Sequence, residues 1–353
     1  MNTKAKTFRV ALTGDFYSAD GTPRYSDLGL SIFQSHEHIE CVRFQEHRPQ
    51  IGPDQIGDAQ GVIVLTPAVT AESVSSSPNL LAVGRFGVGY DAVNVQACTR
   101  ADVVVLITPG AVDRSVAEAT IGWMIALTHH LRAKDLLVRT GNWDERSRYM
   151  GLELRDRTFG AIGLGGIGRK VVQLLQGFGM NHPVAFDPYA DAQAAAQLGV
   201  RLVLLEELLA TADFVSIHCP LTEQTRNLIG PLEFARMKPD AYLINTARGG
   251  IVNEDALFQV LKQRRIAGAA LDCFAEEPVT RPHRFGELDN VLLAPHCIAW
   301  TAELFRDIGR AVCQGMLDLS LGKRPRGVVN PQVFERESFR QKWARLRVEN
   351  SAD

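Results

Sequence analysis

Short aliphatic and β-branched runs recur through this 353-residue chain with a helix-length stretch between most neighbours, and no other feature constrains its fold as much. The runs are Phe8 to Leu12, Gly61 to Leu65, Leu80 to Gly84, Val103 to Ile107, Phe159 to Leu164, Val184 to Phe186, Phe214 to His218, Ala241 to Asn245, Ala267 to Leu271 and Val291 to Ala294. Strands that alternate with helices pair in parallel, and the crossover helices cover both faces of the sheet, which is why such runs are apolar without a break. The expected fold class is α/β, with two doubly wound parallel-sheet domains and a cleft between them as the natural ligand site.

The length, with 46% hydrophobic and 22% charged residues, suffices for two cores. One helix opens after Pro109-Gly110 and carries Val116, Thr120, Trp123, Leu127 and Leu131 on one face; another opens after Ala299. If these two make the crossings, the first domain is discontinuous, 1–111 with 301–353, and the second is 112–300. The charged tail from Phe334 to Asp353 reads as a solvated helix or a frayed end.

Lys and Arg number 38 against 40 Asp and Glu, so no basic excess exists to neutralise phosphates, and neither nucleic acid nor an anionic membrane is an expected partner. No apolar run approaches the roughly 20 residues of a membrane span. The segment from Met1 to Arg9 leads straight into the first strand without a signal-peptide core, so a cytoplasmic protein is expected. Six scattered cysteines form no C-x-x-C pair, and the histidines at 36, 38, 47, 129, 130, 182 and 283 lack ligand spacing, so no metal is expected.

The sharpest local motif is Gly163-Leu-Gly165-Gly166-Ile167-Gly168, a G-x-G-x-x-G between the apolar strand ending at Ile162 and the helix-forming stretch Arg169 to Phe178. Gly163 permits the tight turn, Gly165 lets backbone approach a pyrophosphate, and Gly168 lets the helix pack closely on the strand. The helix N-terminus adds N–H donors and a positive dipole. The next strand, Pro183 to Phe186, ends at Asp187, nineteen residues beyond Gly168. A carboxylate there accepts from both ribose hydroxyls and repels a 2′-phosphate, so the motif points to a Rossmann-type domain that takes NAD in preference to NADP.

Three further segments follow predicted strands at their C-terminal ends: Asn245-Thr246-Ala247-Arg248-Gly-Gly, Leu271-Asp272-Cys-Phe-Ala-Glu276-Glu277-Pro, and Ala294-Pro-His296. Reducing a 2-keto acid requires a cation for the carboxylate and the growing oxyanion, and an acid that protonates the oxygen near neutral pH. Arg248 has the planar fork for the first task, and His296 the titration range for the second. A carboxylate such as Glu277 would orient the imidazole and stabilise its charged form.

Together these segments resemble the D-isomer-specific 2-hydroxyacid dehydrogenases, a family that includes glycerate, phosphoglycerate and glyoxylate-reducing enzymes. The resemblance extends from about Gly84 to Thr301 and includes Gly87-Val88-Gly89-Tyr90-Asp91, Val116-Ala-Glu118 and His218-Cys219-Pro220-Leu-Thr222 with Thr225. It implies a flavodoxin-like substrate domain beside the Rossmann domain and a homodimer whose Val116 to Leu131 helices pack on each other. It also implies a catalytic set of Arg248, Glu277 and His296. The backbone N–H groups of Val88 and Gly89 would then hold the substrate carboxylate. Cys219, Pro220, Thr225, Thr246 and Ala247 would line the cofactor groove, Ala247 at the nicotinamide, and Asp272 would meet the carboxamide. His218 is assigned a lining role. The bulky Trp300 follows His296 where many members carry small residues with glycine, so the substrate's side chain is left open. The chain's extent leaves no expectation of an amino-acid regulatory domain. Glu277 argues against formate as substrate, and the shortness of the flanks argues against the other reading, an NAD-sensing corepressor-like scaffold.

Overall fold

The computed structural model describes residues 7–348, in two compact units, 1–112 with 301–353, and 113–300. Met1 to Lys6, with Lys4 and Lys6, and the last five residues of the charged tail lie outside the described residues.

In the first unit, β1 (Phe8–Leu12), β2 (Ile39–Arg43), β3 (Gly61–Val64), β4 (Ala82–Arg85) and β5 (Val104–Leu106) form one sheet in the order β2-β1-β3-β4-β5. Every ladder is parallel; Val10, for example, lies beside both Cys41 and Gly61. This is the flavodoxin-like order, with its reversal between β1 and β3. The apolar runs named above all appear as strands. β2 was not anticipated, because this edge strand is only half buried and lacks their unbroken apolar character.

The helix Ala302–Ser320, opened by Thr301 accepting the Leu304 N–H at 3.0 Å, returns the chain to this sheet. Gly84 is small for that reason: a Cβ there would lie 2.5 Å from Val312 Cγ2. The described part of the charged tail is anchored to this unit by a few aromatic side chains, although most of its helix faces solvent. Its helix Glu337–Leu346 buries Phe339, which meets Phe334 edge-on at 5.3 Å, while Trp343 donates its indole N–H to the Leu319 carbonyl at 2.8 Å. Phe334, Phe339 and Trp343 form an apolar cluster hidden in a charged composition, and burying aromatic area outweighs the bulk polarity of the segment.

The second unit contains β6 (Phe159–Ile162), β7 (Val184–Phe186), β8 (Arg201–Leu202), β9 (Phe214–Ile217), β10 (Tyr242–Asn245), β11 (Gly268–Leu271) and β12 (Val291–Leu293). They form one parallel sheet in the order β12-β11-β10-β9-β6-β7-β8, the dinucleotide-binding arrangement extended by one strand. The strand order reverses between β6 and β9, the kind of switch point at which open α/β sheets bind ligands. On one face the helices Asp113–Thr128 and Gly166–Leu175 pack together over a core that includes Ala117, Met124, Leu164 and Val171. The first of these helices stops earlier than the apolar spacing suggested. Thr128 bonds back to the Met124 carbonyl at 2.9 Å, His130 turns left-handed at φ 52°, and a separate helix, Leu131–Arg139, begins. Leu131 is accordingly 51% exposed and does not share the buried face of Thr120, Trp123 and Leu127.

Candidate active site

The glycine-rich turn lies at the switch point of the second sheet. Gly163 has φ +96°, and a Cβ on it would come within 2.7 Å of the Cys219 backbone nitrogen, so the loops after β6 and β9 close on each other only through glycine. A Cβ on Gly168 would lie 2.5 Å from the Gly163 carbonyl oxygen, which explains its place in the first turn of the helix. Gly165 faces open space, and the helix Gly166–Leu175 starts with no side-chain cap. Gly165 and Gly166 are exposed and Ile167 half-buried, so the first N–H groups of this helix are open to a ligand. Asp187, at the end of β7, is pinned to the same turn: one carboxylate oxygen accepts the Leu164 N–H at 2.8 Å and the other the Tyr189 N–H at 2.9 Å. An open helix terminus, a glycine that leaves space for phosphate and a fixed carboxylate at the neighbouring strand end fit a dinucleotide with a free ribose diol.

The loop after β9 carries His218, Cys219 and Pro220. Thr225 locks it by donating to the Pro220 carbonyl at 2.6 Å while accepting the Thr222 N–H at 2.7 Å. Both ring nitrogens of His218 are enclosed and have no hydrogen-bond partner, and burial pushes the imidazole pKa down to about 4. The Cys219 thiol is pushed up to about 11, also by burial, so it is not a nucleophilic thiolate.

After β10 the chain turns on Asn245, which is buried. Its side chain accepts the Ala247 N–H at 3.1 Å and donates to the Arg248 carbonyl at 2.9 Å, a small brace that shapes the turn presenting Arg248. The Arg248 guanidinium donates to the Ala247 carbonyl at 2.6 Å. Thr246 leaves its buried hydroxyl without a partner. Gly249 passes so close to the Phe274 carbonyl that no side chain fits, which draws the loops after β10 and β11 together.

Glu277 and His296 meet directly: Nδ1 of the imidazole lies 2.7 Å from Oε2 of the carboxylate. The other carboxylate oxygen accepts the Phe274 N–H at 2.9 Å, so the group is fixed from both sides. Burial works to raise the Glu277 pKa, but the His296 and Phe274 hydrogen bonds, with the positive field of His296 and Arg248, outweigh it and hold the carboxyl below its ordinary range. The close approach of Gly249 to Phe274 sets the loop that carries Arg248 beside the loop that carries Glu277. His296 adopts the left-handed region at φ 54°, uncommon for a residue with a side chain. Asp272 holds it there, its buried carboxylate accepting the N–H groups of Cys297 at 2.9 Å and Ile298 at 3.1 Å. Burial raises the Asp272 pKa against the pull of those two donors.

This bracing role of Asp272 escaped the sequence reading, as did the brace at Asn245 and the orphaned hydroxyl of Thr246. The signal available for the first two was weak: a polar residue ending an apolar strand. Val88 and Gly89 belong to the first unit, half-buried after β4, where Gly87 at φ +136° offers its carbonyl to the Thr108 N–H at 3.0 Å. Among the described residues no group of three or more His, Cys, Asp or Glu side chains could hold a metal ion, and no helix is long and apolar enough to cross a membrane.

Residues 121–297 match the family model described as D-isomer specific 2-hydroxyacid dehydrogenase, NAD binding domain. The chain belongs to that family. The second unit is its NAD-binding domain, and NAD is its cofactor. Among similar proteins, the D-3-phosphoglycerate dehydrogenase of Archaeoglobus fulgidus is 37% identical over 77% of this chain and 51% of its own length. The chain spans about half the length of such relatives. The glyoxylate reductase of Korarchaeum cryptofilum is 33% identical over 89% of this chain and 96% of its own length. A solved structure of a glyoxylate reductase from Paecilomyes thermophila superposes with a TM-score of 0.78 at 25% identity, covering 92% of this chain and 99% of that one.

Proposed function

We propose that the protein interconverts a small 2-keto acid and the corresponding D-2-hydroxy acid, with Arg248, Glu277 and His296 as its catalytic residues. The observation that carries this reading is the 2.7 Å contact between His296 and a Glu277 carboxylate that the His296 and Phe274 hydrogen bonds hold below its ordinary range. When bound, the nicotinamide supplies or accepts the hydride at the substrate's C2 carbon. In the reductive direction the Arg248 guanidinium holds the substrate carboxylate and draws charge onto the carbonyl oxygen. His296, with Nδ1 committed to Glu277, is left with Nε2 to protonate that oxygen. Glu277 stabilises the imidazolium before transfer, and the same pair takes the proton back in oxidation.

The family resemblance adds the backbone N–H groups of Val88 and Gly89 as substrate-carboxylate donors, and residues 1–111 with 301–353 as the substrate domain. Towards the cofactor, Gly163, Gly165, Gly166, Ile167 and Gly168 would take the pyrophosphate and Asp187 the ribose diol. Cys219, Pro220, Thr225, Thr246, Ala247, Arg248, Asp272 and His296 would line the rest of the groove. A glyoxylate reductase that matches almost from end to end supports a short substrate chain. The expected setting is the cytoplasm.

The test is NADH oxidation against glyoxylate, hydroxypyruvate, pyruvate and branched-chain 2-keto acids, with His296→Ala and Arg248→Ala beside the wild type. Turnover with at least one acid is expected, with each substitution lowering kcat/KM by about 10²-fold or more. Tight NADH binding without turnover on any of these acids, or a His296→Ala enzyme with the parental rate, would overturn the assignment.

A further inference from the structure

The glycine motif contains one glycine more than it needs. In G-x-G-x-x-G the required positions are 163, 165 and 168; position 166 is free to carry a side chain. Here the Asp113 carboxylate occupies the space a side chain would enter. It opens the helix Asp113–Thr128, which packs against the cofactor helix Gly166–Leu175. A Cβ at Gly166 would collide with the Asp113 carboxylate, with even Oδ1 and Cγ at 2.9 and 2.7 Å. A carboxylate therefore rests on the first residue of the helix whose N-terminus is built to receive phosphate.

Among the described residues that carboxylate has no hydrogen-bond partner, and only Lys170, one turn along the cofactor helix, opposes its charge. The other charges nearby are engaged elsewhere. Arg169 donates to the Leu164 carbonyl, Arg114 pairs with Glu118 on its own helix, and Asp187 is tied to the Leu164 N–H. His218, whose ring passes 3.7 Å from where a Gly168 Cβ would be, is neutral and offers no counter-charge. Burial raises the Asp113 pKa.

We propose that Asp113 is a determinant of cofactor affinity: its carboxylate competes with the pyrophosphate for the start of the Gly166–Leu175 helix, and must take up a proton or swing aside when NAD binds. The inference rests on the NAD-binding reading of the second unit. It has a definite sign. Two anions at one helix N-terminus repel each other, so the ionised form of Asp113 weakens binding and the protonated form does not. Affinity for NADH should fall as pH rises through the titration of this carboxyl, and a neutral residue should remove the dependence.

The experiment is the NADH dissociation constant of the full chain, read from nicotinamide fluorescence between about pH 5 and about pH 8, for wild type, Asp113→Asn and Asp113→Ser. Asn keeps the shape and loses the charge; Ser loses both, and melting curves of each variant establish that it is folded. We expect both variants to bind about tenfold more tightly than wild type near pH 8. Variants equal to or weaker than wild type at every pH would overturn the role of Asp113 while leaving NAD binding intact. Wild type and variants that all fail to bind NADH would overturn both readings.

Discussion

At His218 a titratable side chain is enclosed with no partner for either nitrogen, and this couples stability to pH. Its folded pKa, about 4, lies below the unfolded value of 6.5. Protons therefore bind the unfolded chain preferentially between those values, and stability is complete above pH 6.5 and declines as pH falls towards 4. The loss amounts to at most about 3 kcal/mol. We expect the urea midpoint of the wild type to fall between about pH 7 and about pH 4.5, and His218→Leu to flatten that slope; parallel slopes would exclude His218 as the source. Arg248, Glu277 and His296 were candidates by residue type, strand-end position and family resemblance, and the contact between Glu277 and His296 is present in the fold. The environment of His218 and the bracing by Asp272 were not, because both depend on loops from separate strands meeting at one sheet edge.

Secondary-structure elements with unbroken apolar runs declared themselves, since burial on both faces leaves a parallel strand no room for polar alternation. Elements held by a few large side chains did not. The helix Glu337–Leu346 is polar along most of its length, and its docking depends on Phe339 and Trp343. Phe339→Ala, which opens a cavity at a fully buried ring, should cost about 3–5 kcal/mol and lower the melting temperature. A change within about 0.5 kcal/mol would mean that the tail is solvated after all. The helix that ends at Thr128 illustrates the same limit: a continuous apolar period ran through His130, and only the backbone turn there separates two elements with different burial.

For the whole molecule, the expected homodimer can be tested at the helix that follows that break. The helix Asp113–Thr128 spends its apolar face against the cofactor helix within the unit, whereas Leu131, Leu136, Val138, Trp143 and Met150 are all more than half exposed. An apolar stretch of that kind, interleaved with Arg132, Asp135, Arg139 and Glu145, suits a second copy of itself. Light scattering after size-exclusion chromatography should give a dimer, and Leu136→Glu with Val138→Glu a monomer; a monomeric wild type would rule this surface out.

The sequence by itself determined the class of fold, the position of the dinucleotide turn and the residue types proposed here for carbonyl reduction. Those follow from periodicities and functional groups that are local along the chain. Only the tertiary structure decided that the Asp113 carboxylate lies against Gly166, that Asp272 holds the His296 loop, and that a charged tail is anchored by its aromatics. Each is a contact between segments distant in sequence, and such contacts are set by how helices pack on a sheet.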